Sequence, residues 1–272
     1  PDEEKRKHPF LDYSVERYRP PGAYDELSHL SAVDAEDLEN KQMMATYFGL
    51  VAEVDTHIGR IVEALKASGE YDNTLIVITS DHAEMLGQHY IWSKEVYYDQ
   101  AFHIPLIIHD PRPEANASRG RRVKQFTESI DVSPTIIDWL GGTVPRSMDG
   151  RSLVPFLRNE TPAEWRDHVF FEHDFREVAS QKPEKMLGLT SDECSYAVIR
   201  DAKYKYVHFA ALPPLLFDME KDPDETKNLA NDPAMQPTVL KYAQKMLSWR
   251  LTEVDRTLTN MQLSRQGLVS LS

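Results

Sequence analysis

The sequence has little cysteine, a shortage of basic relative to acidic residues and no long apolar run. Cys194 is the single cysteine among 272 residues, which excludes an internal disulfide framework. The longest apolar runs lie near 75–78 and 105–108 and have the length of strands, whereas a membrane-spanning helix needs about 18 apolar residues. The 44 acidic and 31 basic residues give a net charge of −13, so we expect neither nucleic acid nor a membrane as a partner.

The first 33 residues are charged and interrupted by proline. Pro9, Pro20 and Pro21 are followed by Gly22, and no helical or strand period is visible around them. Residues 1–33 are therefore predicted to form a linker or surface arm. The opening residues do not have the pattern of a secretory signal, and together with the single cysteine they predict a cytoplasmic protein.

Residues 34–160 show the alternation of helix and strand that is typical of an α/β fold. Apolar residues at steps of three and four predict a long amphipathic helix that begins at an Asp34 N-cap. A continuous β-branched run then predicts a strand covered on both faces, as in a parallel sheet. The predicted elements are helices over 34–68 and 132–140 and strands over 74–79 and 104–109. This order predicts an α/β sandwich with a mostly parallel central sheet.

Residues 161–272 change in character, because short strand candidates follow one another and are separated by turns. Asp201-Ala202-Lys203 is short enough to close a hairpin. The predicted elements are strands over 168–172, 196–200, 204–209 and 215–218 and a helix over 236–257. They predict a C-terminal α+β subdomain with a small antiparallel sheet and a terminal helix. That helix either docks on its own sheet or forms a contact in a homo-oligomer.

An acidic residue and a histidine stand side by side where the first predicted strand ends. Asp81 and His82 follow that strand, and ligands of open α/β sheets bind beyond the carboxyl ends of the strands. A carboxylate oxygen with an imidazole nitrogen suits zinc, manganese or iron, and carboxylate alone suits calcium or magnesium. The alternative is that Asp81 caps the following turn and that His82 is a surface histidine.

Several short motifs follow one another from this segment towards the end of the chain. They are SDHxExLG over 80–87, WxK over 92–94, YD over 98–99, IPLII over 104–108, FTESIDxxPT over 126–135, DGxSL over 149–153, YKYVHFAALPP over 204–214, LFD over 216–218 and DPxExxNL over 222–229. The series resembles the second metal-binding half of the sulfatase branch of the alkaline phosphatase superfamily. Within that branch it is most similar to the phosphonate monoester hydrolases. The resemblance implies an alkaline-phosphatase-like fold.

The resemblance also implies roles for residues of the first motifs. Asp81 and His82 would be ligands of one divalent metal ion, which is manganese, zinc, calcium or magnesium. Lys94 would contact a nonbridging oxygen of a small anionic ester substrate and would stabilise charge as the ester bond breaks. His89, in the same segment, either contacts substrate at the mouth of the pocket or is a hydrogen-bonding loop histidine.

Two parts of such an enzyme are not found in this sequence. The family's nucleophile is a formylglycine made in a Cys/Ser-x-Pro-x-Arg motif, and a further carboxylate holds its metal. The motif is absent, and Cys194 is expected to be a small buried residue. The resemblance therefore implies the C-terminal half of a hydrolase of phosphonate, phosphate or sulfate esters, inactive by itself. The alternatives are a superfamily phosphodiesterase or phosphatase with a Ser or Thr nucleophile, and a stand-alone assembly module without catalytic activity.

Some residues depart from the family's usual pattern. Ala83 stands where the family usually has glycine, and alanine is strained if that position requires a positive φ. Gln88, Ser93 and His103 replace a common Asp, Gly and Arg, respectively. None of these replacements removes a predicted metal ligand.

Overall fold

The computed structural model describes residues 7–17, 32–254, 261–265 and 267–270. Its helices are α1 (Pro9–Arg17), α2 (Ala32–Ser68), α3 (Asp99–Phe102), α4 (Val132–Trp139), α5 (Val154–Leu157), α6 (Lys182–Leu187) and α7 (Gln236–Trp249). Its strands are β1 (Ile76–Thr79), β2 (Leu106–His109), β3 (His168–Asp174), β4 (Ser195–Asp201), β5 (Tyr204–Phe209), β6 (Leu215–Asp218), β7 (Met261–Ser264) and β8 (Gly267–Ser270).

These elements belong to two compact units. The described residues of the first unit lie within 1–123 and 154–162, and those of the second lie within 124–153 and 163–272. The first unit thus contains α1 to α3, β1, β2 and α5, and the second contains α4 and the remaining elements.

Helix α1 lies in the region that was expected to have no regular structure, so that part of the prediction is wrong. Pro9 is the first residue of the helix, where its missing N–H costs nothing. Phe10, Tyr13 and Val15 are buried, and the Phe10 ring lies 6.0 Å from that of Tyr97. The prolines and charged residues around it interrupt the apolar periodicity, so the sequence pattern did not predict this helix. Most of the rest of the predicted arm lies outside the described residues.

Helix α2 confirms the predicted long helix, but its apolar side is exposed. It begins at Ala32, so Asp34 lies within the first turn and is not the N-cap. Phe48, Val54 and Ile61 are 57%, 58% and 61% exposed. An apolar stripe of this kind marks a surface that packs against further polypeptide. Within the described ranges no helix is both long enough and apolar enough to cross a membrane.

Strands β1 and β2 form an antiparallel pair. Ile76 lies opposite His109 and Thr79 lies opposite Leu106, and the Thr79 hydroxyl donates to the Pro105 carbonyl at 2.9 Å. The two strands were expected within a mostly parallel sheet, but the structure contains no parallel pair among the strands that it describes. The predicted burial on both faces is not found among the described residues either, since β1 and β2 are part-buried and Ile107 is 58% exposed.

The second unit is built on a four-stranded antiparallel sheet in the order β3-β4-β5-β6. The predicted hairpin between β4 and β5 is confirmed, and the Asp201 carboxylate accepts the Lys203 and Tyr204 amides at 2.9 Å. Helix α7 buries Tyr242 and Met246 against one face of the sheet. It ends at Trp249 and continues as a π-helical turn over Arg250–Val254, so it is shorter than predicted.

A buried carboxylate joins the loop before α4 to the start of the sheet. Asp131 is fully buried and accepts the amides of Glu128 and Arg151 at 2.8 and 2.7 Å. The Arg166 guanidinium makes a two-pronged contact with the same carboxylate. Gly150 is required beside it, since a Cβ there would lie 2.0 Å from the Ile130 carbonyl oxygen. The motif residues over 126–135 and 149–153 therefore stabilise the second unit.

Replacing Asp131 with Asn removes the charge of the carboxylate that makes the two-pronged contact with the buried Arg166 guanidinium, and leaves Glu128, at 3.3 Å, as its remaining acidic partner. We expect the free energy of unfolding to fall by about 3–5 kcal/mol in urea denaturation. The matched control is Asp167→Asn, because the Asp167 side chain is 78% exposed and pairs with Lys245 at the surface. Its loss should stay below about 1 kcal/mol. Equal losses for the two variants would contradict the structural role of Asp131.

Candidate active site

The predicted site residues lie in one loop that leaves the end of β1. Ser80 follows the last residue of the strand, and its hydroxyl donates to the His82 carbonyl at 2.6 Å. The loop returns to the protein interior at Val96, Tyr97 and Tyr98, which are all buried. Both ends of the loop are therefore fixed, one by the strand and the other by this buried aromatic group.

Asp81 and His82 present their donor atoms side by side. The Asp81 Oδ2 and His82 Nε2 atoms are 3.4 Å apart. His82 Nδ1 lies 2.8 Å from the Ala83 carbonyl, which can only accept, so Nδ1 carries the ring proton. With the proton on Nδ1, Nε2 carries the lone pair; in this structure that atom contacts Lys94 Nζ, so a cation bound at Nε2 would replace the Lys94 contact.

The carboxylate of Asp81 is exposed and has a lowered pKa. Its side chain is 84% exposed. Desolvation is the largest single effect and raises the pKa, but the His82 amide and the charges of His82 and Lys94 together outweigh it. The pKa of Asp81 therefore lies below its ordinary value, and the group is an anion at neutral pH.

Lys94 reaches back to the two predicted metal ligands. Its Nζ atom is in hydrogen-bond contact with His82 Nε2. The structure thus brings together three of the four predicted site residues: Asp81, His82 and Lys94. An ammonium at this position is suited to contact an anion bound beside the two donors.

His89 contacts the buried aromatic group at the end of the loop. Its ring stacks on Tyr98, with 3.8 Å between the ring centroids and 7° between the planes. This contact fixes the tip of the loop, since Tyr98 is buried. The two expectations for His89, substrate contact and a hydrogen-bonding role in the loop, both stay predictions.

The loop contains several residues in the left-handed region of backbone conformation. They are Leu86, Gly87, His89, Tyr90 and Ser93, with φ values of 51°, 81°, 53°, 60° and 75°. Such conformations cost about 1–3 kcal/mol each for residues other than glycine, and they persist where the surroundings fix them. Ala83 is not among the residues with positive φ, so the strain anticipated there is not found and falls on Ser93 instead.

The donor set of this loop fits part of a divalent metal site. Two ligands bound at about 2.0–2.1 Å in tetrahedral geometry lie about 3.4 Å apart, which matches the spacing of Asp81 Oδ2 and His82 Nε2. Two protein donors are fewer than a stable site needs. Within the described residues no group of three or more His, Cys, Asp or Glu side chains could hold an ion. The loop therefore offers two candidate ligands, Asp81 and His82.

Comparison with known proteins identifies the family. A family model described as sulfatase matches residues 7–142, and one described as the C-terminal part of N-sulphoglucosamine sulphohydrolase matches residues 87–252. The chain belongs to the sulfatase family. The two matches together run from α1 to the π-helical turn after α7, so both units of this sulfatase chain are covered.

Three similar proteins carry the comparison further. The chain is 46% identical over 270 residues to the multifunctional alkaline phosphatase superfamily protein PehA of Trinickia caryophylli, which covers 99% of this chain and 52% of PehA. The structure of the phosphonate monoester hydrolase of Agrobacterium radiobacter matches with a TM-score of 0.84 and 42% identity, covering 98% of this chain and 52% of that one. The phosphonate monoester hydrolase SpPMH of Silicibacter pomeroyi matches with a TM-score of 0.86 and 38% identity, covering 99% and 52%.

These matches confirm the predicted fold class. They also show how much of a related enzyme this chain covers. The α/β fold is that of alkaline-phosphatase-like hydrolases. The chain spans about half the length of PehA and of the two solved hydrolases. Activity of a whole sulfatase therefore cannot be assigned to the described residues alone.

One functional feature of the loop was missed at the level of sequence. Glu84 was recognised as part of a motif but was given no role. Its Oε1 atom accepts the backbone amides of Ser93 and, at 3.4 Å, Leu86. An acidic residue next to a metal-ligand pair was the available signal, but its direction towards backbone amides was visible only in the structure.

A separate cavity of about 420 Å³ lies on the sheet of the second unit. It is lined in part by Glu172, His208 and Arg250 and contains none of the predicted site residues. Arg250 and Glu172 form an ion pair, and burial together with the Arg250 charge lowers the pKa of His208. Asp174, which also lines the cavity, pairs with Arg176. The ionised side chains of the lining are thus already paired, and the candidate site remains the loop after β1.

Cys194 is buried, as expected, and does not have the character of a nucleophile. Its side chain is inaccessible to solvent, and burial raises the pKa of its thiol to about 11. The reactive thiolate is therefore a very small fraction at neutral pH.

We expect a thiol reagent such as DTNB to react with Cys194 at pH 8 only after unfolding in guanidinium. The native rate should be lower by at least about 100-fold, because burial and a pKa three units above the solution pH both act against attack. The same protein in denaturant serves as the control. Equal native and denatured rates would show that the thiol is accessible.

Proposed function

We propose that this chain carries the C-terminal half of the active site of a metal-dependent sulfatase-family hydrolase that cleaves phosphonate monoesters. Asp81 and His82 hold the metal ion, and Lys94 binds a nonbridging oxygen of the substrate. The observation that carries the proposal is the convergence of these three groups in one strained loop at the end of β1.

The residues of the loop prepare a cation site and an anion site next to each other. The Ala83 carbonyl fixes the tautomer of His82, and the His82 amide keeps the Asp81 carboxylate ionised. When bound, a divalent metal supplies Lewis-acid stabilisation of charge on the substrate and on the attacking oxygen. Lys94 then neutralises the remaining negative charge of the ester group as its bond to the leaving group breaks. The choice among manganese, zinc, calcium and magnesium stays open.

The nucleophile and a further carboxylate ligand are proposed to come from polypeptide outside this chain. The sequence contains no Cys/Ser-x-Pro-x-Arg motif, and the chain covers 52% of PehA. The exposed apolar stripe of α2 and the two-stranded sheet β1–β2 support the need for further polypeptide, because the described residues of the first unit leave Phe48, Val54 and Ile61 more than half exposed. In this family the nucleophile is a formylglycine, which we expect in that missing part.

The substrate class is inferred from the relatives. Two similar structures are named phosphonate monoester hydrolases, and PehA is named multifunctional. An ammonium beside a metal site suits any small tetrahedral anionic ester, so phosphate diesters and sulfate esters belong in the same assay. The predicted cytoplasmic location, the homo-oligomer contact of the C-terminal region and the domain boundaries at 33 and 160 stay predictions.

Replacing Asp81 with Asn in the complete gene product should lower kcat/KM for an aryl phosphonate monoester by about 10²–10⁴-fold. The reason is that loss of a metal ligand removes several kcal/mol of stabilisation of the transition state. The measurement is steady-state release of the aryl alcohol, with bound metal quantified by elemental analysis.

Asp72→Asn is the matched control, since Asp72 is an exposed carboxylate in the turn before β1. It should leave both kcat/KM and metal content unchanged. A near-normal rate for Asp81→Asn would overturn the assignment of the metal site.

Mass spectrometry of the active protein identifies the nucleophile: an unmodified Ser or Thr there would favour the phosphodiesterase or phosphatase alternative. No ester hydrolysis at all by the complete product would favour the assembly module.

A further inference from the structure

We propose that Glu84 is the positioning residue that holds Lys94 over the metal ligands. This inference rests on the proposed function, because it presumes that Lys94 acts on the substrate. Glu84 exerts its effect through the backbone of Ser93, the residue immediately before Lys94.

The Glu84 carboxylate ties together the two sides of the loop. Its Oε1 atom accepts the Ser93 amide and, at 3.4 Å, the Leu86 amide. The Met85 amide donates to the Ser93 carbonyl at 3.0 Å. Both backbone groups of Ser93 are therefore engaged by the segment that follows the metal ligands. Hydrogen bonds to a carboxylate are stronger than those to a neutral oxygen, so Glu84 supplies the stronger of these restraints.

The restraint matters because Ser93 has an unfavourable backbone conformation. Its φ is 75°, which glycine adopts freely and other L-residues adopt at a cost. Without the Glu84 carboxylate, nothing charged opposes the return of Ser93 to negative φ. Such a change would redirect the chain at the next residue and move the Lys94 side chain.

The remainder of the loop is fixed independently of Glu84. Met85 and Ile91 are fully buried, and the Gly87 amide donates to the Ile91 carbonyl at 3.0 Å. The Asp81 carboxylate accepts the His82 amide at 3.0 Å, and His82 is held by its contacts with Ser80 and Ala83. Loss of the Glu84 carboxylate should therefore displace Lys94 while the metal ligands stay in place.

The test compares Glu84→Ala, Glu84→Gln, Lys94→Ala and the double variant Glu84→Ala/Lys94→Ala in the complete gene product. Misplacement of a catalytic group by about 1 Å costs up to about 100-fold, so we expect Glu84→Ala to lower kcat/KM by about 10–100-fold. Glu84→Gln keeps the acceptor oxygen and should remain within about fivefold of the unaltered protein. The double variant should have the activity of Lys94→Ala, because a residue that acts through Lys94 adds nothing in its absence.

Two further readouts separate positioning from a general loss of structure. The affinity for manganese, measured by competition with a chromogenic chelator, should not change in Glu84→Ala. Hydrogen exchange of the Ser93 amide should become faster.

Ser93→Gly introduced into Glu84→Ala should recover part of the activity, since glycine removes the cost of the positive φ. Glu193→Ala is the control, because Glu193 is another carboxylate that accepts a backbone amide, that of Thr190.

The outcomes distinguish this inference from the proposed function. If Lys94→Ala has normal activity, the role of Lys94 in the proposed function is wrong, and the positioning role of Glu84 is wrong with it. If Lys94→Ala is impaired and Glu84→Ala multiplies that loss in the double variant, the proposed function stands and the positioning role is overturned. A fall in manganese affinity of Glu84→Ala that equals its loss of activity would also overturn it.

Discussion

The antiparallel pairing of β1 with β2 is the constraint on which the candidate site depends. It fixes where the chain emerges after Thr79, and the Thr79 hydroxyl holds the two strand ends together. Asp81 and His82 follow within three residues, so their positions are set by the strand rather than by a flexible loop. The return of the loop to Tyr97 and Tyr98 provides the second fixed point. A site built between two fixed points can keep donor atoms aligned without a bound ion.

Much of the secondary structure could be predicted because the hydrophobic periodicity of the sequence is local. The long helix α2, the hairpin between β4 and β5 and the strands of the second unit all follow from it. Helix α1 was missed because Pro9 and the charges around it dominate the local pattern, while its apolar contacts are with residues far away in sequence. Strand direction was also mispredicted, because the continuous β-branched run is typical of a parallel strand, whereas β1 and β2 pair in antiparallel fashion.

Motif order predicts which residues form the candidate site but not how they are arranged. Motif order pointed to Asp81, His82 and Lys94, and the structure brings them together. The strain was expected at Ala83 and is found at Ser93, because a residue type alone does not reveal which φ the fold imposes. The role of Glu84 depends on a contact across nine residues to a backbone amide, which no side-chain pattern encodes.

The two units differ in how completely they bury their own surfaces, and this difference bears on function. The second unit packs α7 against a four-stranded sheet and contains a buried charged network at Asp131. Among its described residues the first unit has two paired strands, and the apolar side of α2 is exposed. A two-stranded sheet is marginal in water and gains stability from further packing. The metal ligands and Lys94 belong to this less complete unit. Polypeptide that covered α2 would therefore stabilise this unit. The loop of the same unit needs a third metal ligand and a nucleophile, so folding of the unit and assembly of the site would be coupled.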